Sequence, residues 1–204
     1  MPEPGRGGPR GPPRASYTRT IEAPVHVVVL CTGNFCRSPM GEAILAERLR
    51  TRGVDAVVSS AGLVLHGKPA SPHAVSVLAD RGIDHSSHRS RVMDSGTLES
   101  ADLVVAMTRE HLREAAVLNP STFDRTFTLK ELVRRGEAAG PRAPGQSLDE
   151  WLDKAAAGRD RSDLLGTSAD DDVADPYGME RGDYERTCAE IEGLIDRLVK
   201  LAWP

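Results

Sequence analysis

No stretch of this chain is long and apolar enough to cross a bilayer, and no secretory-type hydrophobic segment stands near its first residue. Positive charge is not in excess. Twenty-six Lys and Arg face 30 Asp and Glu, a net charge of -4, which argues against a general nucleic-acid binder. Cysteine is scarce: three residues, an odd number, do not make a disulfide framework, and a reducing cytoplasm is the expected setting. Aromatic residues amount to 4%, so any core has to be mainly aliphatic. No internal repeat is visible. What remains, 204 residues with 39% hydrophobic content, suits one domain of ordinary size.

The first 22 residues are Pro, Gly and Arg with little to bury, and read as a disordered tail. The domain is expected over 23–204. From Val25 strand and helix patterns alternate. VHVVVL is an apolar run suited to a buried parallel strand, and Ser38-Pro39 opens a helix. DAVVSSAG, ADLVVAM and RTFT follow as further strands. Helices are expected after Ser71, with Pro72 at the first helical position, and after Thr108. Thr128 with Glu131, and Ser147 with Glu150, have the spacing of capping boxes. Residues 136–171 are rich in Gly, Ala and charge and read as a surface insertion carrying one short helix near 148–157. Near the end Cys188, Ile191, Leu194, Ile195 and Leu198 form the stripe of a helix packed on a sheet. Four β-α units in series predict a three-layer α/β/α sandwich around a four-stranded parallel sheet, with ligands at the carboxyl ends of the strands.

The stretch CTGNFCRS fills the turn between the first strand and its helix. Such a loop can curl so that its backbone N–H groups point inward, while the helix N-terminus adds positive potential. Gly33 is expected to supply a backbone conformation closed to other residues. The hollow would cradle a tetrahedral oxyanion, with Cys31 at its base. Amides, helix dipole and Arg37 all favour thiolate over thiol, and Ser38 can hydrogen-bond the sulfur. Arg37 can hold two phosphoryl oxygens at once, more tightly as they gather charge. Nucleophile and anion clamp together predict phosphoryl transfer to cysteine, needing no metal and no cofactor. No Walker loop is present, and the spacing of Cys31 and Cys36 is wrong for zinc.

CTGNFCRSP resembles the signature of the low-molecular-weight protein tyrosine phosphatases. The likeness continues through SSAG at 59–62, GKPASPHAV from 67, GIDHSSH at 82–88, ADLVVAMT at 101–108, FTLKEL at 127–132 and DVADPYG at 172–178. The resemblance implies that Asp175 protonates the leaving oxygen and then activates the hydrolytic water. It implies that Thr32, Gly33, Asn34, Phe35, Cys36 and Ser38 line the phosphate site, and that Asn34, Ser38, Ser60 and His88 brace the loop. It also implies that Cys36 can pair with Cys31 under oxidation. Neighbouring Asp170, Asp171 and Asp172 read as solvated charge. Phe35 and Tyr177 are the candidate walls of a cleft deep enough for a phenyl ring.

Three positions depart from the usual pattern: Gly178 in place of a second aromatic, Thr32 in place of an aliphatic, and LVLH at 63–66 without a tryptophan or tyrosine. Gly41 replaces the familiar alanine. KPASPHAV, SADLVVAMT and FTLKEL also resemble the bacterial protein-arginine phosphatase branch, where a threonine stands in place of Phe35. Phosphotyrosine on protein partners is therefore the first expectation and phosphoarginine the second. A small-thiol arsenate reductase and a non-catalytic phosphoprotein-binding module are the remaining readings. The thioredoxin-coupled type of arsenate reductase is excluded by the lack of cysteine between Cys36 and Cys188.

Overall fold

The computed structural model describes residues 23–204, so the tail expected over 1–22 lies outside the described residues. Four strands form one parallel sheet in the order β2-β1-β3-β4, with β1 at Val25–Cys31, β2 at Ala56–Gly62, β3 at Leu103–Ala106 and β4 at Thr126–Thr128. The period-two alternation of β1 explains the layering. Val27, Val29 and Cys31 face one apolar cluster, and Val28 and Leu30 face the other. Helices α1 (Arg37–Thr51), α2 (Pro72–Ala79), α5 (Leu129–Ala139), α6 (Leu148–Ala156) and α7 (Arg181–Ala202) supply the larger cluster. The short α3 (Ser95–Glu99) and α4 (Arg109–Leu118) cover the opposite face. The chain order reverses between β1 and β3, which opens a crevice beyond their carboxyl ends. Among the described residues no helix is long and apolar enough to cross a membrane.

Gly41 has a packing reason. A Cβ there would meet Met107 Cε at 2.8 Å and Val29 Cγ1 at 3.1 Å, so the bare backbone lets α1 lie close on β1 and the end of β3. The α7 stripe is buried throughout, and Cys188 is fully enclosed in it.

Local expectations differ in three places. Ser71 stands at the N-cap of α2 but caps nothing; its hydroxyl instead donates to Tyr184 Oη at 3.1 Å. Thr128 accepts from the Glu131 amide, but the Glu131 carboxylate turns to Arg135 and Arg159, so only half of that capping box forms. The box of Ser147 and Glu150 is complete. The 136–171 segment is not merely surface. Trp151 is fully buried, its indole N–H donates to Gly140 O at 2.9 Å, and Leu152 and Ala155 join the main core. Arg159 lies over the rings of Phe123 and Phe127, with its guanidinium carbon 4.4 and 4.1 Å from their centroids, and donates to Glu131. Composition misled here because one Trp and one Arg outweigh the many small and charged neighbours.

Candidate active site

The loop between β1 and α1 is held by one side chain with a special backbone. Asn34, not Gly33, occupies the left-handed region, at φ 56°. Asparagine tolerates this conformation better than most residues. Gly33 makes room for a ring instead: a Cβ there would fall 2.2 Å from Cε1 of Phe35, so the Phe35 side chain would have to turn aside. The Asn34 amide group donates to Ser38 Oγ at 2.9 Å and Ser60 Oγ at 2.7 Å, and its oxygen accepts from the Arg91 backbone at 2.8 Å. Its carbonyl oxygen accepts from His88 Nε2 at 2.8 Å. The four residues expected to brace the loop thus meet in one network, with Arg91 as an unforeseen member. Gly62, at the end of β2, presses against the loop from outside. A Cβ there would lie 2.8 Å from both Asn34 N and Thr32 O.

Inside the loop Cys31 is buried, its Sγ 3.0 Å from Ser38 Oγ and 3.3 Å from the Asn34 amide that donates to it. The N-cap of α1 is Cys36, whose side chain makes no capping bond, so the first amides of that helix keep their partial positive charge at the loop. Arg37 is buried at the same end. Its Nη1 donates to Val173 O at 3.2 Å, and its Nη2 donates to Thr32 Oγ1 at 3.3 Å and to Asp175 Oδ2 at 2.6 Å. The Arg37 Nε is buried with no hydrogen-bond partner. An orphaned donor on a buried guanidinium is costly unless an anion meets it.

These groups open onto a cavity of about 250 Å³ lined by Cys31, Thr32, Gly33, Phe35, Cys36, Arg37, Val64, Leu65, Asp175 and Tyr177. Phe35 and Tyr177 meet edge to face with centroids 5.2 Å apart, forming one aromatic side. Val64 and Leu65, from the LVLH stretch that lacks a tryptophan or tyrosine, form apolar wall all the same. Gly178 adopts φ 76°, a conformation that an aromatic residue would resist. A larger hollow of about 840 Å³ beside α5 and α7 holds Arg109, Lys130, Arg134 and Arg197, each already paired with an acid.

The acids after 169 are not uniformly solvated, contrary to expectation. Asp171 is buried between Arg109 and Arg134, with contacts of 2.7 and 2.8 Å. Asp172 accepts from the Arg109 and Ser168 amides, at 2.7 and 3.1 Å. Together they anchor the segment that delivers Asp175, which stays part-exposed and also accepts from the Tyr177 amide at 3.2 Å.

Cys36 behaves unlike a free thiol: burial first, against the favourable bond with Tyr184, pushes it up to about 11. Its Sγ lies 3.3 Å from Tyr184 Oη, and Cys31 and Cys36 are both reduced. His111 was not foreseen. It is buried beneath the loop, with Nε2 2.9 Å from Thr32 Oγ1 and Nδ1 2.9 Å from Thr108 Oγ1. Burial, then the nearby Arg37 charge, pushes it down to about 3, so it is a neutral ring. It props Thr32, which in turn accepts from Arg37. The one clue was its place three residues after the Thr108 cap.

Comparison with known proteins gives a single answer. Residues 26–142 match the family described as low molecular weight phosphotyrosine protein phosphatase. The protein-arginine-phosphatase of Bacillus subtilis (strain 168) is 33% identical over 176 residues, covering 85% of this chain and 94% of that one. The low molecular weight protein-tyrosine phosphatase A of Mycobacterium tuberculosis is 34% identical over 179 residues, covering 86% and 90%. Among solved structures, the low molecular weight protein tyrosine phosphatase from T. tengcongensis superposes with a TM-score of 0.66 at 36% identity, over 86% of this chain and 97% of that one. With a four-stranded parallel sheet between two helical layers and a family match across more than half its length, the chain belongs to the low-molecular-weight protein tyrosine phosphatase family.

Proposed function

We propose that this chain hydrolyses phosphate from protein side chains, phosphotyrosine before phosphoarginine, through a cysteinyl-phosphate intermediate. The observation that carries the reading is the convergence at one cavity base. A buried sulfur there accepts from a loop amide 3.3 Å away, while a buried guanidinium with an unpartnered Nε and the carboxylate of Asp175 stand above it. In the first step Cys31 Sγ attacks phosphorus. The P–S bond forms as the bond to the leaving oxygen breaks, and Asp175 gives that oxygen its proton. The loop amides and Arg37 hold the equatorial oxygens, whose charge they are placed to meet. Water then attacks phosphorus, Asp175 takes its proton, the P–S bond breaks, and orthophosphate leaves.

For the ring substrate the support is the wall: Phe35, Tyr177, Val64 and Leu65 present apolar and aromatic surface above the sulfur. Phosphoarginine stands second on the likeness to the Bacillus protein. Rates on matched phosphotyrosyl and phosphoarginyl peptides test the order, and faster phosphoarginine cleavage would reverse it. Arsenate-dependent oxidation of a small thiol, lost with Cys31→Ser, would favour the reductase reading. Absence of any p-nitrophenyl phosphate turnover would favour a binding module. Three unpaired thiols suit a reducing compartment, and we place the protein in the cytoplasm.

A further inference from the structure

A second group of ligand-type side chains lies outside the cavity. Glu42 of α1, with His85 and His88 from the segment after α2, bring one oxygen and two ring nitrogens within 4.8 Å of one another. Glu42 Oε2 is 3.8 Å from His85 Nε2 and 3.7 Å from His88 Nδ1, and the two rings stack at 5.0 Å. Neither distance is a hydrogen bond.

The outer atoms of the group are already committed. His88 Nε2 is bonded to the Asn34 carbonyl, which only accepts, so that nitrogen carries a hydrogen and Nδ1 is the nitrogen on the Glu42 side. Ser60 Oγ donates to the Glu42 Oε2 carboxylate oxygen. His85 Nε2 is buried without a hydrogen-bond partner. Metal-binding histidines are typically oriented in this way, the far nitrogen tied to a backbone carbonyl and the near one aimed at the ion. Bonds of about 2.0–2.1 Å in a tetrahedral zinc site place ligand atoms roughly 3.3 Å apart. The two Glu42–histidine distances must shorten by about 0.5 Å, and the stacked rings must turn so that their nitrogens, now within 4.8 Å, meet one ion.

We propose that Glu42, His85 and His88 form a binding site for a divalent transition-metal ion of the zinc type, with a fourth position left to water. The reaction above needs no ion there. The site's effect is on the loop. Glu42 reaches Asn34 through Ser60, and His88 reaches the Asn34 carbonyl directly, so one ion ties two independent supports of the residue whose amide faces Cys31.

The test uses the full chain carrying Cys31→Ser, so that the nucleophile cannot capture the metal. Calorimetric titration with Zn²⁺ should show one ion per chain, and imidazole ¹H–¹⁵N signals of His85 and His88 should shift together. Adding His85→Asn, or Glu42→Gln, which keeps an acceptor for Ser60, should weaken binding by on the order of 10–100-fold or more. Zn²⁺ should raise the melting temperature of the parent and not of these variants. Should a variant fail to fold without metal, the histidine shifts in the parent decide the matter. No binding to the Cys31→Ser chain, unchanged affinity in a folded His85→Asn chain, or shifts confined to other histidines would each overturn the proposal.

Discussion

Replacing Gly62 with alanine puts a methyl group where the phosphate loop now lies. Its Cβ would fall 2.8 Å from Asn34 N and Thr32 O and 3.0 Å from Asn34 Cβ. The two nearest atoms are backbone, so no rotamer change relieves the contact. Ordinary packing begins near 3.4 Å, and the loop must retreat by about 0.6 Å. The Asn34 amide that now points at Cys31 Sγ from 3.3 Å then loses its aim. Loss of one such oxyanion donor costs about 10²–10³ in kcat, while overpacking of this kind costs about 1–3 kcal/mol of stability. The assay is steady-state hydrolysis of p-nitrophenyl phosphate, with vanadate inhibition and urea unfolding measured alongside. Gly193→Ala is the matched control. Its Cβ meets nothing within 4 Å in the middle of α7, so it should gain about 0.5–1 kcal/mol without altering rate. A Gly62→Ala enzyme with parental kcat and parental vanadate affinity would refute the claim that the loop is rigidly placed.

Cys31→Ser should abolish turnover and leave the fold intact. Asp175→Ala should slow phenolic esters by about 10²–10⁴ and esters of good leaving groups much less, with equal losses across leaving groups contradicting its role as acid. Trp151→Ala should cost about 3–5 kcal/mol in urea unfolding, whereas a segment merely lying on the surface would lose little. His111, folded near 3 and near 6.5 when unfolded, refuses a proton that the unfolded chain accepts. Stability should therefore fall as pH drops from about 6.5 toward 3, by up to about 1.4 kcal/mol per unit, and His111→Gln should flatten that slope. Peroxide should inactivate the enzyme in a way that dithiothreitol reverses, and Cys36→Ser should make the loss permanent. Equal recovery in both would remove Cys36 as the resolving thiol.

What could be read from residue order was whatever lies close along the chain. Cys31, Arg37 and Ser38 share one strand-to-helix turn, and an apolar strand before it and a proline after it made the loop visible. The groups that aim and wall this turn arrive from elsewhere. The His111 ring comes from the helix after β3, Val64 and Leu65 from the loop after β2, and the Val173 carbonyl from the approach to α7. Nothing local marks a histidine in REHL as a prop for Thr32. The exchange of parts between Gly33 and Asn34 was hidden for a related reason. A glycine suggests backbone freedom, but the deciding neighbour here is the folded-back ring of Phe35. Asp171 looked solvated because its sequence neighbours are acids, yet its spatial neighbours are Arg109 and Arg134. Burial of a charge depends on partners that charge counting along the chain does not see.

The bond between Arg37 and Asp175 bears on how the pocket fills. Until a phosphate ester arrives, the guanidinium is already neutralised by a carboxylate from its own chain, 43% exposed and able to swing away. An incoming dianion therefore exchanges with a resident anion rather than simply adding to bare positive charge, and the displaced carboxylate is freed beside the leaving oxygen, where it takes up from water the proton that it then donates. Entry of substrate and release of the future acid from its ion pair become one event, and small oxyanions at high concentration compete for the same seat.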